Sequence, residues 1–166
     1  MAISKFKLDA EVYGTWPVQK LGQLTMYEAY QNRCMEGEFS TFSLEDVDEA
    51  FNKMRPVKYS QNVILRKDNE VLVCVPMPAG HRVGSTVWKI RKEATDLIYA
   101  TSFNLRKEST LFGSALHTEK SASVFITDAH CIHATDARLK DRETKLVKTV
   151  LDCLRTGGNV LMPCDA

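Results

Sequence analysis

Two stretches of the chain carry side chains able to do chemistry. In PMPAGHRVGSTVWKI, residues 76 to 90, His81 stands in a glycine-rich turn between two apolar, β-branched runs. A side chain on a turn between strands can project into a cleft, so its imidazole is placed to act as a ligand. The plain alternative is a histidine satisfied by backbone groups of a tight turn. In TDAHCIHATD, residues 127 to 136, Asp128, His130, Cys131, His133 and Asp136 crowd in directly after another apolar run. By type these are zinc ligands, but structural zinc sites draw ligand pairs from separated segments, and no HExxH or HxHxDH completes a set. The reading adopted is a polar loop in which Asp136 caps the following helix, with no metal and no cofactor expected. Arg138, Lys140, Arg142, Lys145 and Lys148 then give that helix a basic run diluted by Asp141 and Glu143. Such a run is usually a solvated face, and an RNA-backbone contact through Arg138, Lys140, Arg142 and Lys145 is the weaker functional alternative. No phosphate-binding glycine loop, GxSxG elbow or Cys/His nucleophile pair is present.

These residues have to be held by regular elements. Trp16-Pro17 suits the first turn of a helix, and Val18, Leu21, Leu24, Tyr27 and Tyr30 recur every third residue until Gly37. Ser43 followed by Asp46 reads as a capping pair for a second helix, whose stripe is Leu44, Val47, Ala50, Phe51 and Met54, stopping before Pro56. VKYSQNVIL, VLVCVP, TVWKI and LIYATSF then read as a four-strand antiparallel meander. SVFIT at 123 to 127 reads as a buried strand, Leu139 to Leu154 as a helix ended by Gly157-Gly158, and NVLMPC at 159 to 164 as a returning strand. Strand, helix, strand at that spacing predicts a parallel crossover, and the whole a layered α/β sheet. The last strand stops at Asp165-Ala166, which gives the chain the look of a truncated fold. Should it begin at Met1, exposed edge strands and aggregation are expected.

With 166 residues, 44% of them hydrophobic, the chain can bury a core without disulfides or a metal. Its 22 basic and 21 acidic residues leave a net charge of +1, so no global field marks a nucleic-acid or membrane binder. Five cysteines, Cys34, Cys74, Cys131, Cys153 and Cys164, are odd in number and lack CxxC spacing, which favours reduced thiols in an intracellular protein. No window reaches transmembrane length and MAISKFKLDA has no signal-peptide core, so a soluble chain is expected.

The order AGHRVGSTVWKI, LIYATSFN, SVFITDAHCIHATDARLKDRE and GGNVLMPCDA resembles the metallo-β-lactamase and β-CASP nucleases of RNA processing. AEVYGTWPVQKLGQLTMYEAYQNR and FSLEDVDEAFNKM extend the resemblance back to about Ala10. It implies an incomplete metallo-β-lactamase-like αββα fold over residues 1–157, running into a β-CASP region at 158–166. By the same resemblance His81 takes a zinc-binding position, Ser102 stands where the family has a bridging aspartate, and Asp128 matches the first β-CASP acidic residue. A neutral hydroxyl offers neither the charge nor the paired oxygens that hold two divalent ions together. Active members also carry an HxHxDH cluster ahead of the matching region, and this sequence has none. The resemblance therefore implies a non-catalytic nuclear scaffold of pre-mRNA cleavage and polyadenylation. Its expected partners are the catalytic endonuclease subunit, the other cleavage and polyadenylation subunits, and possible RNA. The alternative is a fragment of an active zinc-dependent RNA endonuclease.

Overall fold

The computed structural model describes residues 2–119, 122–129 and 138–163. The chain divides into two compact units, Met1–Asp128 and Ala129–Asp165. In the first, strand β1 (Val12–Thr15) leads into helix α1 (Trp16–Glu36), with Pro17 in its first turn as the sequence predicts. Helix α2 (Leu44–Asn52) opens on a full capping box. The Asp46 N–H donates to Ser43 Oγ (3.2 Å), and the Ser43 N–H donates to Asp46 Oδ2 (2.9 Å). The bond to the Ser43 N–H holds the Asp46 carboxyl below its usual range. Ser43→Ala removes one half of this exchange and should cost about 1 kcal/mol, read from the urea midpoint.

Met54, expected on the α2 stripe, instead begins strand β2 (Met54–Val57), which pairs parallel with β1 from Val12↔Met54 to Thr15↔Val57. The helix ends at its Lys53 cap because the next four residues find a β partner. Met54 lies against Gly14, where an added Cβ would come 2.7 Å from its sulfur. Pro56, with no N–H to give, is tolerated because this ribbon has only two strands. On α2, Val47 is buried; from α1, Gln19 Nε2 donates to the Phe51 carbonyl (2.7 Å) and Gln23 Nε2 to Asp48 (2.6 Å).

The predicted meander is present as β3 (Val63–Lys67), β4 (Glu70–Pro78), β5 (Thr86–Lys92) and β6 (Thr95–Ala100), each antiparallel to the next. Strand β7 (Val124–Thr127) joins β6 in parallel. It was expected to be buried, yet all four residues are exposed. Among the described residues it is an edge strand, paired with β6 alone. One sheet face carries the apolar row Cys74, Ile90, Leu97 and Val124; the other carries the core of Ala79, Val87, Ile98 and Ala100. Met77 of β4 and, from the segment joining β6 to β7, Phe103, Leu116 and Ala122 pack against that core.

The second unit holds helix α3 (Leu139–Arg155), which ends where predicted, before Gly157. Its N-cap is Arg138, with no side-chain cap bond; Asp136, the expected cap, lies outside the described residues. The strand expected at 159 to 164 is not formed over 159–163, so there is no crossover through α3 among the described residues. A run becomes a strand only when a neighbour takes up its N–H and C=O groups, and residues 159–163 have no ladder partner among the described residues. Cys34, Cys74 and Cys153 are free thiols. Among the described residues no helix is long and apolar enough to cross a membrane.

Candidate functional site

Sheet register decides which of the candidate residues meet. Pro78 of β4 pairs with Thr86 of β5, and Ala100 of β6 pairs with Thr127 of β7. Because β5 runs antiparallel to both β4 and β6, four termini lie at one end of the sheet: the ends of β4, β6 and β7 and the start of β5. His81 sits in the β4–β5 turn, Ser102 two residues beyond β6, and Asp128 one residue beyond β7. Positions that are 21 and 26 residues apart along the chain are thus gathered at one sheet end. All three are exposed. No group of three or more His, Cys, Asp or Glu side chains able to hold a metal occurs among the described residues. His130, Cys131, His133 and Asp136 lie outside them.

The His81 turn is held from two sides. Gly80 and Gly84 adopt φ of 69° and 81°, where a Cβ is strained. Thr15 Oγ1 donates to the Gly84 carbonyl (2.6 Å), and Thr15 is only 3% exposed, so this bond ties the start of α1 to the turn. Within the turn the Arg82 N–H donates to Ser85 Oγ (3.0 Å) and Ser85 Oγ to the Arg82 carbonyl (2.7 Å). On the other side, the Asn104 N–H donates to the Ala79 carbonyl (2.8 Å) and the Ser114 N–H to the Asn104 carbonyl (2.7 Å). The turn is rigid while its histidine faces solvent.

Sequence reasoning missed Thr15. It occupies the α1 N-cap position, where its hydroxyl would be expected to cap the helix, but the hydroxyl goes to a carbonyl 69 residues away. It also missed an ion cluster bracing the β6–β7 connection. Lys89 Nζ lies 2.5 Å from Glu119 and 3.4 Å from Asp96, and Arg91 Nε lies 2.7 Å from Asp96. The available signal was a lysine on the core-facing side of TVWKI, in register with Ile98. The bond to Glu119 raises the Lys89 pKa, whereas the Arg91 guanidinium, with Lys89, lowers Asp96 from 3.8 to about 2. A carboxyl whose folded-state pKa is depressed stabilises the fold fully above its unfolded value. That contribution fades as pH falls from about 4 toward 2. Urea midpoints measured across this window should fall less steeply for Asp96→Asn than for the parent chain.

On α3, Arg142 and Lys145 stand at i and i+3 on one stripe, while Arg138 is the extended N-cap residue before the helix. Lys140 lies off it by the 3.6-residue period, so the four expected RNA contacts do not form a single row.

Residues 1–132 match the metallo-beta-lactamase superfamily domain, and the chain belongs to that superfamily. Over nearly its whole length the chain is also similar to several curated proteins. It is 40% identical over 164 residues to the probable cleavage and polyadenylation specificity factor subunit 2 of Drosophila melanogaster, covering 98% of this chain and 22% of that protein. It is 39% identical over 165 residues to cleavage and polyadenylation specificity factor subunit 2 of Arabidopsis thaliana, covering 99% and 22%. Cleavage factor two protein 2 of Schizosaccharomyces pombe is 30% identical over 165 residues, covering 95% and 20%. The chain spans about a fifth of the length of these curated relatives.

Proposed function

We propose that this chain is a catalytically silent metallo-β-lactamase-like scaffold of the nuclear pre-mRNA cleavage and polyadenylation machinery, working as partner of the catalytic endonuclease subunit. The observation that carries the proposal is Ser102. It stands at the sheet end beside the β4–β5 turn, at the position the family resemblance gives to a bridging carboxylate. A two-metal hydrolytic centre must clamp both the attacking and the leaving oxygen. A hydroxyl there supplies neither the charge nor the paired oxygens of a bridging carboxylate. Similarity to subunit 2 relatives over 98% of the chain supports the same role.

What remains useful in such a fold is the surface. The tagged protein is expected to co-purify with the catalytic endonuclease subunit of 3′-end processing and to leave RNA uncut on its own. Failure to recover that subunit would refute the scaffold role. The competing reading, a fragment of an active zinc-dependent RNA endonuclease, draws on the exposed His81 imidazole. RNA cleavage that disappears in His81→Ala would establish it.

A further inference from the structure

From the geometry of the loop 104–114 we infer a contact site for single-stranded RNA, with Phe112 as a base-stacking platform and Lys107 as a phosphate contact. The loop is closed at its base. The Ser114 N–H donates to the Asn104 carbonyl (2.7 Å), while Asn104 Oδ1 accepts from the Arg106 N–H (3.0 Å). At the other end, the Glu108 N–H donates to the Leu111 carbonyl (2.9 Å). Compact surface loops with pinned ends are frequent sites of function. The loop's base rests on the His81 turn, so close that a Cβ on Gly80 would stand 2.6 Å from Asn104 O and Ser114 N.

Such a closed base leaves the tip to present side chains at low entropic cost, and the tip presents Phe112. Phe112 is 78% exposed, and Lys107 Nζ lies 5.4 Å from its ring centroid. Arg106 adjoins Lys107, and Arg82 is exposed on the supporting turn; within the loop the only opposing charge is Glu108, to which Asn104 Nδ2 donates (3.3 Å). An exposed aromatic face interleaved with cations is how proteins bind single-stranded nucleic acid: rings stack on bases of any sequence and cations meet phosphates. A protein partner would be better served by a wider apolar surface than Phe112 and Leu105.

The choice of RNA rests on the proposed role in mRNA processing. The test is fluorescence anisotropy with a labelled oligouridylate over a range of salt. The parent chain should bind with an affinity that falls as salt rises. Phe112→Leu, apolar but without a π-face, should weaken binding by on the order of tenfold. Phe112→Tyr should bind like the parent. Lys107→Ala should weaken binding and lower the salt slope by about 1. Because Phe112 is largely exposed, thermal melting of all three variants should match the parent. No binding by the parent chain, or equal binding by Phe112→Leu, overturns the inference. So does a Phe112→Leu variant that keeps RNA and loses the endonuclease subunit, which would make the loop a protein contact. Co-purification of that subunit reports separately on the scaffold role, so either idea can fail alone.

Discussion

Gly80→Ala is expected to destabilise the chain by on the order of 3 kcal/mol and to free the loop over the His81 turn. Two costs add. Gly80 has φ of 69°, a left-handed conformation that an L side chain resists. The new methyl would also lie 2.6 Å from Asn104 O and Ser114 N, which are backbone atoms and cannot rotate away. Relief requires moving the 104–114 segment, breaking the Asn104 to Ala79 and Ser114 to Asn104 hydrogen bonds. Gly157→Ala separates the two costs, since Gly157 has φ of 75° with nothing within 4 Å of the added Cβ. It should show only the backbone strain, roughly 1 kcal/mol. Comparing the two in urea titrations isolates the contribution of the close approach. Against a typical stability of 5 to 15 kcal/mol, a loss of about 3 is large.

Ile98→Ala should cost about 3 kcal/mol, within the 2 to 5 typical of such truncations. Ile98 is 3% exposed and belongs to the cluster with Ala79, Val87 and Ala100. Two of its three partners there are alanines, which cannot expand into the space a lost side chain leaves. Across the ladder Ile98 faces Lys89 and Phe125, and Lys89 is fixed by Glu119 and Asp96. The site therefore collapses poorly. Ile64→Ala, on β3 and 54% exposed, is the matched control and should fall within about 0.5 kcal/mol of the parent.

Local chemistry explains which parts of this fold could be foreseen. Trp16-Pro17, the Ser43 and Asp46 pair and the apolar stripe of α3 are signals written within a few residues, and each yields its helix. The meander is equally local, because each strand pairs with the one before it. The β1–β2 ribbon was invisible for the opposite reason. Its four-residue strands pair across about forty positions, from Val12 to Met54, and no periodicity inside either strand records that distance. Residues 159–163 fail in the other direction: an apolar run looks like a strand, but among the described residues it finds no ladder partner, and without one no strand forms.

The site was legible in part. The glycines flanking His81 marked a turn, and the turn is there. That His81, Ser102 and Asp128 share one end of the sheet follows from the register of four strands, and the residues alone do not carry it. Thr15 and Lys89 escaped notice because their partners, Gly84 and Glu119, lie 69 and 30 residues away.

Metal content tests the central claim most directly. Zinc per polypeptide, measured by elemental analysis after dialysis against zinc-containing buffer and then metal-free buffer, should be far below one equivalent. That holds both for this chain and for the longest product its gene encodes. Two equivalents in either, removed by His81→Ala, would contradict a silent scaffold and make this an enzyme.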